Sequence, residues 1–437
     1  MQMESGKNNN YKNVLIITSF LSNDNSSKMI VDISKSLGKD YNIDVLTKYP
    51  FETNELNVYS TYNKFEEFVI KSFSYLNGLF LKYKILPSKA KIISKKNLPY
   101  YFFGLDEDNP PVNTKRVLNK IKKDYDFILV FFWQGLVTSK TLKKIYSKYQ
   151  KPLLLVAADM FPMTGGCSYF WDCERLVNSC GECPGISSIK ENDATRKNFL
   201  YKKKVFNEVK SVFLGNSWQI NHAAKSGLFK NMEKIYPIVD ENIFRPRNKK
   251  LLKSNFNYSN KTVLFFGSLG VHDPRKGFKY LLESLQLLTK NRPDLVDNIV
   301  LIIAGGGDAV AGLENYKIKY TGHLSFDQLA EYYAMADVFL SPSVQDAGPM
   351  MLNQALMCGT PAVAFNIGTA SDIINDMTGY IARYRDSQDF CNGIIKLITK
   401  SELELEAMSK VCRLESMERS SYEGFRNGIM SAYNTIR

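Results

Sequence analysis

The chain runs to 437 residues with only three histidines, His222, His272 and His323, so general-base chemistry by imidazole has few candidates. It also lacks a long hydrophobic run. The longest strongly apolar stretch, "FILVFFWQGLV" from Phe127, is well short of the ~20 residues that span a bilayer, so no transmembrane helix is expected. Glycine is missing where a dinucleotide-binding enzyme needs it. The loop after the first apolar run reads "FLSNDNSSK", and "AGGG" at Ala304 has the wrong glycine spacing, which disfavours a Rossmann dehydrogenase. Internal repeats and low-complexity tracts are absent. The amino terminus has an apolar run without a small-residue cleavage site, so residues 14–19 read as the first buried strand of a cytoplasmic protein.

The sequence is 44% apolar at this length, which suggests two large domains, each with its own core. The net charge of +13 is unevenly placed: residues 1–250 carry 39 Lys+Arg against 24 Asp+Glu, and residues 251–437 carry 18 against 20. A basic first half implies a polyanionic partner. Its densest part, "FVIKSFSYLNGLFLKYKILPSKAKIISKK" at 68–96, interleaves Phe, Leu, Ile and Tyr with Lys, as a segment lying on an anionic membrane surface does. Nucleic acid is not expected, because no RNA- or DNA-binding motif accompanies the lysines. A merely solvated lysine face is the competing reading.

Short apolar runs alternate with helix-period segments, the pattern of parallel sheets covered by helices on both faces. In the first half "VLIITS" (Val14), "NIDVLT" (Asn42), "DFILVFF" (Asp126), "PLLLVAA" (Pro152) and "SVFLGNS" (Ser211) read as strands, with helices at 28–37 and 113–124. After the polar, aperiodic "RPRNKKLLKSNFNYSNK", a second series begins with "TVLFFGS" (Thr262), "NIVLIIAGGG" (Asn298), "DVFLSPS" (Asp337) and "PAVAF" (Pro361). The expected fold is α/β, with two doubly wound Rossmann-like domains facing a cleft. A basic acceptor-binding domain takes residues 1–245, a linker 246–261 and a donor-binding domain 262–414. A C-terminal helix at 415–437 could return to the first domain. In such sheets ligands bind beyond the carboxyl ends of the strands.

Two stretches of the second half carry the chemistry. In "FFGSLGVHDPRKGFKYLLESLQLL", Arg275, Lys276 and Gly277 stand at the entrance to a helix, where two cations beside free N–H groups suit a diphosphate. In "SPSVQDAGPMMLNQALMCGTP", Pro349 takes the first position of a helix closed by Gly359. That helix start offers N–H groups to an anion, with Asp346 just before it and Gln354 in its second turn. On spacing alone Asp346 is also a turn or capping carboxylate.

Together with "YTGHLSFDQLAEYYAMADVFLSPS", these stretches resemble the donor domain of glycosyltransferase family 4, of GT-B fold, across nearly all of residues 262–382. In the first half "DMFPMTGGCSYFWDCERLVNSCGECPG", "NSW" at Asn216 and "IVDENIFRPRNK" are similar to that family's polysaccharide-assembling members. The family's paired acidic residues fall on Asp346 and Gln354, which implies a sugar-hydroxyl contact for the first and a ribose contact for the second. The resemblance puts Arg275 and Lys276 on the diphosphate. It sets the backbone of Gly348, Pro349, Met350 and Met351 around sugar and phosphate, Gly322 near the base and Gly267 in the donor-binding set. Ala158 and Ser168 stand where relatives often carry histidine. Asp159 then becomes the candidate for orienting the acceptor hydroxyl, against a turn role in "ADMFP". Asp159, Asp346 and Lys276 are the catalytic candidates.

The implied activity is retaining transfer of a hexose from a nucleotide diphosphate sugar, without a catalytic metal, to a saccharide or lipid-linked acceptor. The setting is bacterial capsule or lipopolysaccharide assembly, on the inner face of the plasma membrane. A rival reading is a scaffold or regulatory subunit that has lost catalysis. Four cysteines, Cys167, Cys173, Cys180 and Cys183, crowd one loop at 163–186, and their final C-x2-C matches half of a zinc knuckle. A structural zinc, free thiols and labile disulfides are the open readings. "FFWQ" at 131–134 ends a strand where an aromatic ring can stack on a sugar, although core use accounts for most such rings. Asn216 and its neighbours could line the acceptor site.

Overall fold

The computed structural model describes residues 12–19, 21, 25–82, 100–102, 104, 106–307 and 311–437. The lysine-rich stretch at 68–96 therefore falls outside the described residues beyond residue 82.

The apolar runs become strands because they are buried on both faces. β1 (Lys12–Ile17), β2 (Tyr41–Thr47) and β3 (Asn57–Ser60) are followed by β4 (Phe127–Phe131), in which every residue is buried. β5 (Leu153–Val156), β6 (Ser211–Gly215) and β7 (Met232–Lys234) complete a seven-stranded sheet of order β3-β2-β1-β4-β5-β6-β7. The pairings from β3 to β6 are parallel, with Val14 opposite Phe127 and Ile128 opposite Leu153.

The second sheet contains β8 (Thr262–Gly270), β9 (Ile299–Gly306), β10 (Lys317–Gly322), β11 (Val338–Ser341), β12 (Ala362–Phe365) and β13 (Gly379–Ala382). All five of its pairings are parallel, in the order β10-β9-β8-β11-β12-β13. Alternate residues of its strands, Val263 and Phe265, Val300 and Ile302, enter one core with Tyr333, Phe339 and Leu356. Each fully buried Phe or Leu there contributes about 1.5–3 kcal/mol.

In both sheets the strand order reverses once, between β1 and β4 and between β8 and β11. A crevice opens beyond the carboxyl ends of strands at such a point, and ligands of doubly wound sheets bind there.

By contacts the chain divides into two units. One comprises Met1–Leu214, Ala223–Glu233 and Met430–Arg437; the other comprises Gly215–His222 and Lys234–Ile429. The stretch expected as a linker contains a short helix, Lys249–Asn255, capped by the Asn248 side chain on Leu251 N–H. Its lysines explain why helical periodicity is weak there. Lys249 reaches the Ala336 carbonyl at 2.8 Å and Lys253 the Asp337 carboxylate at 2.6 Å, so charge fixes this helix together with the partly buried Leu252. The C-terminal residues form two helices, Glu402–Ser420 and Tyr422–Thr435. Tyr433 packs on Phe127 with ring centres 4.9 Å apart, within the first unit.

The loops beyond β8 and β11 touch at Gly277, whose φ is +67°. A Cβ there would lie 1.8 Å from the Pro342 carbonyl oxygen. Gly277→Ala is expected to cost about 2–4 kcal/mol, through the left-handed backbone and the displaced loop, measured as a lower urea midpoint at unchanged slope.

Candidate functional site

The second unit gathers most of the expected donor residues at its switch point. Pro274–Lys276 form one tight turn, started by Asp273, whose carboxylate accepts from Arg275 N–H at 3.0 Å. The same carboxylate holds the Arg275 guanidinium in a fork, at 3.1 Å from Nε and 2.5 Å from Nη2. Lys276 Nζ lies 2.6 Å from Asp346 Oδ2, with both side chains largely buried. The other Asp346 oxygen accepts from Gly348 N–H at 3.3 Å. Asp346 thus serves the turn and the lysine together.

The helix Met350–Met357 follows, with Pro349 as its N-cap, one residue earlier than expected for proline. No side chain caps it, so the N–H groups and partial positive charge of its first turn remain for an anion beside Lys276. Gly267 permits this approach: a Cβ there would fall 2.0 Å from Met351 Cε.

Two expected residues stand differently. Gln354 is buried, and Tyr333 Oη donates to its Oε1 at 3.3 Å. Its amide oxygen is thereby turned inward, which leaves the NH2 as the side chain's remaining hydrogen-bonding group. Gly322 ends β10, an edge strand two places from β8, and a Cβ on it would meet nothing within 4 Å. It is apart from the Lys276–Asp346 group. Asn216 donates to the Ala347 carbonyl within the second unit, so it supports the loop that carries Asp346.

Sequence reasoning missed Asp273, Tyr333 and Asn216 as supports of this site. An Asp before Pro in "HDPRKG" signals a turn start and could have exposed the first. Tyr333 and Asn216 come from other elements, and no local pattern links them to it.

In the first unit Asp159 follows β5. It is 6% exposed, accepting from Phe161 N–H at 2.9 Å and from Gln134 Nε2 at 2.9 Å. Burial pushes its pKa up to about 6, against those hydrogen bonds and the nearby Lys202 charge. Asp159, Trp133 and Gln134 line one narrow cavity with Phe132, Ala158 and Pro162. Asp346 and Lys276 belong to the other unit.

The four cysteines do share a cavity, lined by Cys167, Cys173, Cys180 and Cys183. The zinc expectation is nonetheless unsupported: among the described residues no three His, Cys, Asp or Glu side chains converge as metal ligands do. Burial pushes Cys180 up to about 12 and raises Cys167 and Cys183, so these thiols stay protonated at neutral pH. Protein groups order the loop instead. The buried Lys202 ammonium donates to the Phe161 and Thr164 carbonyls at 2.7 and 3.0 Å, and Asn198 Nδ2 donates to the Gly165 carbonyl. Asp193 caps the helix Ala194–Glu208 and also accepts from Cys183 N–H at 3.0 Å. They satisfy the backbone that a metal had been invoked to tie down.

Residues 260–400 match the family described as glycosyl transferases group 1. The chain is 31% identical over 195 residues to an uncharacterized glycosyltransferase of Haemophilus influenzae, covering 42% of this chain and 50% of that one. It spans about half the length of the curated relatives it matches. Among solved structures, a sucrose-phosphate synthase from Thermosynechococcus elongatus aligns over 97% of this chain and 98% of its own, with TM-score 0.61 and 14% identity. Anabaena HepE in complex with UDP aligns over 97% and 100%, with TM-score 0.61 and 16% identity. The fold is GT-B, built from two Rossmann-like units.

The raised pKa of Asp159 makes its burial a pH-dependent cost. Stability from the neutral carboxyl is fully present below the unfolded value near 3.9 and is lost as pH rises through about 6. Relative to Asp159→Asn, the unmodified chain should therefore lose about 3 kcal/mol between pH 4 and 7, with a plateau above, read by urea unfolding at each pH. A pH-independent difference would place Asp159 in a wetter setting.

Proposed function

We propose that the protein is a retaining glycosyltransferase, moving a hexose from a nucleotide diphosphate sugar to a saccharide acceptor in cell-surface polysaccharide assembly. The observation that carries this reading is the Lys276–Asp346 pair, 2.6 Å apart beside an uncapped helix start at a switch point. Cation and helix N–H groups suit the diphosphate, and the carboxylate suits sugar hydroxyls. The match over 260–400 and the UDP bound by Anabaena HepE support the same assignment.

Catalysis on this reading rests on positioning and on stabilising the departing diphosphate. Lys276, Arg275 and the first turn of Met350–Met357 take up charge as the glycosidic bond breaks. The leaving phosphate oxygen accepts the proton of the incoming hydroxyl on the same face, so configuration is retained without a separate base. Asp159 orients the acceptor hydroxyl. Arg275 and Lys276 each rest on a carboxylate, so a diphosphate must draw them from Asp273 and Asp346.

A lipid-linked acceptor would bring the protein to an anionic membrane. The helix Lys64–Lys82 exposes Phe65, Phe68, Val69 and Phe73, three- and four-residue neighbours on one stripe, with Lys64 and Lys71 beside it. Among the described residues no helix is long and apolar enough to cross a membrane.

The catalytically inactive scaffold remains the second reading, and the inward turn of Gln354 onto Tyr333 favours it. A screen of nucleotide sugars for binding and turnover, with lipid-linked saccharides present, separates the two: turnover supports the transferase, and tight nucleotide binding without turnover supports the scaffold. Lys276→Ala should weaken UDP binding about 10–100-fold by calorimetry; unchanged affinity sinks the phosphate assignment. For the membrane, Phe68→Ser with Phe73→Ser should abolish flotation with vesicles containing phosphatidylglycerol, and high salt should weaken it in the unmodified chain.

A further inference from the structure

The cavity beside Asp159 has polar atoms that the folded chain leaves without partners. Trp133 Nε1 and Gln134 Oε1 are both buried and, among the described residues, find no hydrogen-bond partner. One is a donor and the other an acceptor, and a buried polar group in that state costs about 1–3 kcal/mol unless a ligand or water meets it. They are adjacent in sequence, line the same cavity as the Asp159 carboxylate, and lie beyond the carboxyl end of β4, at the switch point with β1.

The local backbone is built to hold them there. Phe132, which precedes the pair, has φ +43°, a left-handed conformation that is strained for phenylalanine. Its carbonyl is held by both groups of Ser19, the N–H at 2.8 Å and Oγ at 2.5 Å. The Trp133 ring is stacked on Phe206 at 6.0 Å and 7°, and set edge-on to Phe161 at 6.0 Å and 86°. The Gln134 amide cannot turn over without bringing its oxygen against Asp159, because Nε2 already donates to that carboxylate at 2.9 Å.

We infer that Trp133, Gln134 and Asp159 form a subsite for one uncharged hydroxyl of a polyol, which under the transferase reading is a hydroxyl of the acceptor saccharide. The chemistry selects among ligands. A hydroxyl can accept from the indole N–H while donating its one proton to Gln134 Oε1, and so satisfies both open groups at once. An ammonium has no acceptor for Trp133. A carboxylate cannot donate to Gln134, and either a carboxylate or a phosphate would bring its negative charge against the Asp159 carboxylate in a cavity lined, among the described residues, by no Lys, Arg or His. The cavity admits about one water-sized group, which fits a single inserted hydroxyl rather than a whole ring. Trp133 and Gln134 thereby become specificity residues for the acceptor.

The test uses the full chain labelled with 5-fluorotryptophan, with the Trp133 fluorine resonance assigned through Trp133→Phe. Glycerol, methyl α-D-glucopyranoside, acetate, inorganic phosphate and methylammonium are titrated separately. The two polyols should move the Trp133 resonance saturably and the three ions should not, and Gln134→Met should weaken the polyol effect at least about tenfold. Far-UV circular dichroism and the urea unfolding midpoint check that variant's fold. The inference is overturned if no polyol moves the resonance, if an ion moves it equally, or if Gln134→Met leaves the polyol effect intact. Should Gln134→Met fail to fold, the selectivity of the unmodified chain decides. A polyol response with no binding of any nucleotide diphosphate in the screen would keep the subsite and sink the transferase reading; nucleotide binding without a polyol response would do the reverse.

Discussion

The carbonyl oxygen of Arg275 holds the second unit's site together. It accepts from Val344 N–H at 2.8 Å and Gln345 N–H at 3.2 Å, tying the turn beyond β8 to the loop beyond β11. Gly277 lets the two loops close without a Cβ between them, and Tyr384 Oη holds the Val344 carbonyl from the other side at 2.8 Å. Only with this seam in place does Lys276, on one loop, fall within reach of Asp346, on the other. The reach of a lysine side chain is long, but its position is not, and a fixed backbone is what makes the pair a preorganised cation and carboxylate.

Buried charge plays a parallel part in the first unit. Lys202 is buried with Glu107 at 3.7 Å and spends its protons on two carbonyls of the cysteine-rich loop. Desolvation lowers its pKa, and Glu107 opposes this. Removing either member would strand the other, which is costlier than replacing both. The loop therefore depends on a polar network reaching from the helix Ala194–Glu208. Ser179, Cys180 and Glu182 sit in left-handed backbone within it, a strain that this network and the Arg175–Glu182 ion pair sustain.

What the sequence made legible follows from where the information is local. Strands buried on both faces announce themselves as apolar runs, so the strands of both sheet cores, β1, β4, β5 and β8 among them, were readable. Arg275, Lys276, Asp346 and the start of Met350–Met357 lie in two short segments, and loop–helix chemistry together with a family likeness located them. Tyr333 and Asn216 act across sequence distance, on atoms no periodicity connects, whereas Asp273 acts two residues away and its Asp-Pro turn signal was there to be read. The helix Lys249–Asn255 escaped because lysines in ion pairs and carbonyl contacts hide the stripe that marks an ordinary amphipathic helix. The C-x2-C spacing reports nearness in sequence, whereas metal binding needs three or more ligand side chains to converge, which the described residues do not show.

Bulk charge and site charge run in opposite directions. Residues 251–437 hold fewer basic than acidic residues, yet that half sets Arg275 and Lys276 where an anion would be met. Residues 1–250 hold 39 basic against 24 acidic residues, yet the cavity around Asp159 is lined by no cation. Net charge speaks to long-range attraction over a surface, which a Debye length of about 8 Å confines at physiological salt. Selection inside a cavity is decided at hydrogen-bond distance, by whether each buried donor and acceptor finds its complement. On the proposed reading, attraction to an anionic surface by the exterior and selection of an uncharged hydroxyl by the interior are separate properties, to be changed independently on Lys64–Lys82 and on Trp133 and Gln134.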